Sequence, residues 1–161
     1  MIGHIVDFLK GLPPQVITVV VAMLPVAELR GSIPVALGLG LQPPQAWLCS
    51  VVGNMIPVVP ILLLLGPVSK WLRRFRIWDK FFSWLFARTQ RKSEIIQKYG
   101  FWGLIAFVAI PLPVTGAWTG CVAAFLLQME FRKAFFAILT GVLIASIIVL
   151  CASMGFIKIF F

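Results

Sequence analysis

The sequence predicts an all-α integral membrane protein. It is expected to hold two inverted repeats, each a re-entrant hairpin plus a transmembrane helix, with an interfacial amphipathic helix between them. Composition, two full-length apolar runs and two pairs of short apolar arms lead to that fold class. Of 161 residues, 61% are hydrophobic and 12% are charged. A soluble domain has roughly 45–50% apolar and about 25% charged residues. With mean hydropathy at +1.03, the chain has too few charges to cover a water-facing surface, and the same numbers exclude disorder. A single membrane domain over 1–161 is expected, with repeat 1 at about 13–68, the linking helix at about 70–98 and repeat 2 at about 99–157.

Met1–Lys10 lacks a basic start and no cleavage-like site closes the next apolar run, so no cleavable signal peptide is expected. Gly11-Leu12-Pro13-Pro14 opens the first apolar arm, Val16–Ala27. At 1.5 Å per residue such an arm reaches about 18 Å, short of the roughly 30 Å hydrocarbon core. Glu28-Leu29-Arg30-Gly31-Ser32-Ile33-Pro34 interrupts it, and Val35–Leu41 follows before Gln42-Pro43-Pro44. Irregular backbone at membrane depth is tolerated where protein buries it or water reaches it. A re-entrant hairpin is therefore preferred over one long kinked span. Trp47–Val68 reads as a full span, kinked by Pro57 and Pro60.

Most of the +9 net charge falls in the next stretch, from Lys70 to Lys98. Its apolar residues Trp71, Phe75, Trp78, Phe82 and Leu85 recur at helical spacing. A basic amphipathic helix of this kind lies at the bilayer interface and is drawn to anionic lipid. The positive-inside rule makes it cytoplasmic, and nucleic acid is not an expected partner. Phe101–Leu112 is another short arm, broken around Pro111, Pro113 and Gly116, then resumed as Ala117–Leu127. A polar turn, Gln128–Lys133, leads to the last full span, Ala134–Ile157.

The halves match at an offset of 88 residues. Leu24-Pro25-Val26 aligns with Leu112-Pro113-Val114, and Gly53 with Gly141. If each broken element is a hairpin, each half crosses the membrane once, and the two run in opposite directions. Inverted repeats with broken helices near the midplane are a transporter architecture.

Charge inside a membrane marks candidate function, which singles out Glu28 and Arg30. They could form an ion pair that holds the broken backbone. Alternatively, Glu28 could exchange a proton for a cationic substrate, or Arg30 with free backbone N–H groups could hold an anionic head group. Asn54 lies mid-span and either lines a cavity or caps backbone freed by Pro57 and Pro60. Thr115, Trp118 and Thr119 sit at the second break, and Trp118 could stack on a flat cation or fill space. The break residues are read as Pro25, Gly31, Pro34, Pro111, Pro113, Gly116 and Gly120, with packing the preferred role for Gly116 and Gly120 at their small-xxx-small spacing. Three cysteines in apolar segments, Cys49, Cys121 and Cys151, without CxxC spacing read as small buried hydrophobes. With one histidine, His4, neither a metal site nor a nucleophile triad is expected. No cofactor and no enzymatic activity are expected either.

The segments Pro25-Val26-Ala27-Glu28-Leu29-Arg30-Gly31-Ser32-Ile33-Pro34 and Ile110-Pro111-Leu112-Pro113-Val114-Thr115-Gly116-Ala117-Trp118-Thr119-Gly120 together resemble the small multi-drug export protein family of prokaryotes. The resemblance runs from about Pro14 to Gly155. It implies a plasma-membrane exporter of small molecules. In layout the family is similar to the DedA-like (VTT) membrane proteins, echoed here by Tyr99-Gly100-Phe101-Trp102-Gly103 and Phe131-Arg132. That similarity implies lipid or lipid-carrier translocation as the alternative. The Arg that stands beside the second hairpin's Pro in the DedA-like group is absent, since Ala109-Ile110 precede Pro111 here. A non-transporting scaffold is a third reading. One copy is small for enclosing a pathway, so a homo-oligomer is expected.

Overall fold

A computed structural model describes residues 11–72, 100–110 and 115–160. Every regular element among them is an α-helix. The amphipathic helix expected at about 70–98 lies outside the described residues from 73 onward, as do Pro111 and Pro113.

Helix α1, Pro14–Met23, starts at Pro14, where a missing N–H costs nothing. Inside it, the Thr18 hydroxyl donates to the Pro14 carbonyl at 2.8 Å. The helix ends because Leu24 turns extended (φ −73°, ψ 133°) and Pro25 has no N–H to continue the ladder. Helix α2, Glu28–Gly38, follows a break of four residues, 24–27. The break is therefore shorter and earlier than the sequence suggests. Pro25 lies in it, whereas Gly31 and Pro34 lie inside α2. Gly31 N–H donates to the Ala27 carbonyl at 2.8 Å, and a Cβ on Gly31 would come within 2.8 Å of the Ala27 Cβ. Gly31 thus lets the first turn of α2 close tightly, and Pro34 rides in the helix.

Helix α3, Pro43–Met55, again opens on prolines. A turn at Ile56 and Pro57 separates it from α4, Val58–Leu72. The helix is interrupted where the sequence places Pro57, which cannot donate to the ladder. Helix α5, Phe101–Ala109, ends where Ile110 turns extended (φ −78°, ψ 116°). Helix α6, Ala117–Leu126, follows after seven residues, 110–116. Gly116 is in that break, fully extended, and Gly120 is inside α6. The last helix, α7, is Phe131–Phe160.

Two stretches are long and apolar enough to cross a membrane, Pro43–Leu65 and Phe131–Gly155. Only 33% and 39% of these windows is buried. A helix at the centre of a soluble protein would hide most of such a surface. Here Leu48, Leu63, Leu64, Phe136 and Ile147 are each more than half exposed, as side chains facing lipid would be.

The chain gathers into two compact units. One holds residues 1–56 and 143–161, the other residues 57–142. In the first, α1, α2 and α3 pack on one another. A Cβ on Gly53 would lie 2.6 Å from the Val19 carbonyl oxygen and 2.8 Å from the Ala22 Cβ, so α1 and α3 meet backbone to backbone. The end of α7 joins this unit through Ser146, whose hydroxyl accepts from Trp47 Nε1–H at 2.7 Å and donates to the Leu143 carbonyl at 2.7 Å. In the second unit α4 packs on α6, with Cys121 Sγ 3.9 Å from the Val58 carbonyl oxygen. Gly141 on α7 repeats the glycine contact. A Cβ there would lie 2.6 Å from the Val108 Cβ and 3.0 Å from the Ile105 carbonyl oxygen.

The turn after α2 recurs after α6. Leu39, Gly40 and Leu41 N–H groups donate to the carbonyls of Val35, Leu37 and Ala36, and Leu127, Gln128 and Met129 donate to those of Ala123, Phe125 and Ala124. Donors and acceptors are all 88 residues apart. Gly40 (φ 83°) and Gln128 (φ 52°) share the left-handed conformation of this helix end. Burial follows the same offset. Leu29, Ser32, Ile33 and Ala36 on α2 match Ala117, Gly120, Cys121 and Ala124 on α6, and all eight are buried. The first arms do not keep it. Leu24 and Ile110, which end α1 and α5, are 86 apart.

Candidate functional site

The first unit carries a buried polar level built by two antiparallel helices. Ala36 on α2 and Ala46 on α3 share one buried cluster with Leu41. The connecting turn reverses the chain, so stepping four residues back along α2 and four forward along α3 stays level. One such step sets Ser32 level with Ser50, and a second sets Glu28 level with Asn54. The second unit shows a contact at the matched offset. Gly120 and Ile138, 88 residues after Ser32 and Ser50, are neighbours, since a Cβ on Gly120 would lie 3.5 Å from Ile138 Cγ1.

Ser32 and Ser50 are 0% exposed and Asn54 is 1% exposed. Ser32 Oγ, Ser50 Oγ and both Asn54 side-chain polar atoms, Oδ1 and Nδ2, have no hydrogen-bond partner. Each such group costs about 1–3 kcal/mol when removed from water unpaired. Asn54 therefore does not cap the backbone around Pro57 and Pro60, one of the two roles its sequence position suggests. Other buried hydroxyls are satisfied, as Thr18 and Ser146 illustrate.

Glu28 is half-buried and is the first residue of α2, with φ 45°. A non-glycine residue held in this region costs on the order of 1–3 kcal/mol. Its N–H donates to the Leu24 carbonyl at 3.0 Å, which fixes the carboxylate-bearing residue at the mouth of the break. Arg30, two residues on, is also half-buried. In the second unit Thr115 Oγ1–H donates across the break to the Ile110 carbonyl at 2.7 Å, and Thr119 Oγ1–H donates to the Gly116 carbonyl at 3.2 Å. Those hydroxyls tie local backbone. Trp118 is half-buried on α6.

The structure thus brings Glu28, Arg30 and Asn54 into one unit and Thr115, Trp118 and Thr119 into the other. Ser32 and Ser50 escape sequence reading, because a serine in an apolar helix resembles any small packing residue. Comparing the halves would have found them. Where the first half has Ser32, Ser50 and Asn54, the second has Gly120, Ile138 and Val142. Among the described residues, no group of three or more His, Cys, Asp or Glu side chains could hold a metal ion.

Two stretches long and apolar enough to cross a membrane, with large apolar side chains on their exposed faces, define the class as an integral membrane protein. Residues 28–148 match the family model described as "Putative small multi-drug export protein". The chain belongs to that family. The match begins at Glu28, the first residue of α2, and takes in both halves of the turn-and-helix pattern. No curated protein and no solved structure matches the chain.

Proposed function

We propose that the protein exports small amphipathic molecules, cations foremost, across the plasma membrane, with Glu28 as its charged substrate or proton site. The observation that carries this reading is Glu28 itself. It is a carboxylate held in a left-handed backbone at a helix break, inside an apolar protein of an export family. Charge placed at such depth marks a transport path.

The architecture favoured is a pair of inverted repeats, each a re-entrant hairpin and one span. The four short helices support it. With 10, 11, 9 and 10 residues they reach about 14–17 Å, half of a bilayer core. The recurring turn at an offset of 88 residues supports the repeat. On this reading the basic stretch after α4 faces the cytoplasm and binds anionic lipid, and two or more copies assemble to enclose the pathway. Arg30, Asn54, Thr115, Trp118 and Thr119 line it.

Flux of a cationic fluorescent dye into proteoliposomes under an imposed pH gradient tests the reading, with wild type beside Glu28→Gln. Dye movement that follows the gradient and is lost in the variant is expected. Folded wild-type protein that moves no dye would sink it.

A further inference from the structure

The geometry points to a sodium-binding site formed by Ser32, Ser50 and Asn54 between α2 and α3. Three observations carry it. The four polar atoms are fully buried and have no partner. Helix register brings Ser32 and Ser50 to one level, with Asn54 one turn along the same buried face of α3. At an offset of 88 residues the second half has Gly120, Ile138 and Val142 in place of the three polar residues, and Gly120 and Ile138 are neighbours there. Apolar residues stand at the matched positions, so the desolvation cost of the polar groups in the first half calls for a ligand.

The donor set selects the ligand. Two hydroxyl oxygens and an amide oxygen are hard, neutral donors, suited to a hard cation. Calcium sites in proteins draw on several carboxylates, and none of these three side chains carries charge, which favours a monovalent ion. Asn54 Nδ2 cannot coordinate a cation, but it can donate to a water kept in the ion's shell, whose remaining lone pair accepts. One hydrated sodium ion thus satisfies all four atoms. The site shares Asn54 with the pathway of the export reading, but ion binding alone is claimed here, and coupling to transport is not.

The test uses purified full-length protein in detergent, with sodium chloride against choline chloride at equal ionic strength. Sodium about a hundredfold above its Kd is expected to raise the unfolding midpoint by roughly 5–10 °C. Radioactive sodium is expected to bind saturably at one ion per chain. The triple variant Ser32→Ala, Ser50→Ala, Asn54→Val is expected to lose both responses. Asn54→Val alone serves if the triple variant does not fold. Wild-type protein that neither binds sodium nor is stabilised by it overturns the site and leaves buried water as the partner of these groups. Undiminished binding in the folded variant overturns the assignment to these residues. Neither readout depends on transport, so a failed dye-flux experiment and a failed sodium experiment are distinguishable.

Discussion

Gln128 holds, 88 residues on, the left-handed backbone position that Gly40 holds in the first half, with φ 52° against 83°. Both residues sit at the reversal between a short helix and a long one. Only glycine adopts this conformation without a steric penalty. Gln128→Gly should therefore stabilise the protein by about 0.5–1 kcal/mol, and Gly40→Ala should destabilise it by a similar amount. Thermal unfolding of the two variants in one detergent checks both signs. Equal effects in the same direction would contradict the shared role.

Gly53 and Gly141 set the distance between a short helix and a long one in their respective units. Adding a methyl group forces backbone apart at Gly53, where the nearest atom is the Val19 carbonyl oxygen at 2.6 Å. Gly53→Ala and Gly141→Ala should each cost about 1–3 kcal/mol. Gly38 has nothing within 4 Å, so Gly38→Ala should be neutral or stabilising by up to about 1 kcal/mol. Denaturant titration separates the two outcomes.

The Trp47 indole is anchored to Ser146 across 99 residues of chain. Trp47→Phe keeps the ring and removes the donor. Its expected cost is about 0.6–1.5 kcal/mol, the range of a single hydrogen bond between membrane helices or in a soluble protein. A double-mutant cycle with Ser146→Ala should show coupling of the same size, and additive losses would mean the bond contributes nothing.

Asn54 and Val142 occupy matched positions on the two long helices. In sodium-free medium Asn54→Val should raise stability by about 1–3 kcal/mol, because two unpaired buried polar atoms disappear. Val142→Asn should lower it by a comparable amount. Unfolding midpoints of both variants in choline buffer decide the matter.

Composition and hydropathy made the membrane class and both long spans legible, because bilayer thickness imposes a length that few other pressures imitate. The offset of 88 was legible too, and the turns and second arms keep it. The exact place of the first break was not. Glu28–Pro34 looks like a break by residue type, yet tertiary contact with α1 and α3 overrides propensity there, and Pro34 has a φ that a helix accepts. The polar level was half legible. Asn54 stands out in an apolar run, whereas Ser32 and Ser50 gain meaning only from burial and from the missing partners.

Different numbers of residues separate the paired short helices, four between α1 and α2 and seven between α5 and α6. If the halves descend from one duplicated gene, no codon has been gained or lost from Leu29, in the first turn of α2, to Asn54 relative to Ala117–Val142. The net change in length has fallen in the breaks. On that descent the spacing was kept where helices pack and changed between the short helices. Insertions and deletions at the breaks, more than point changes in the spans, are then how descendants of such a gene would remodel what they carry.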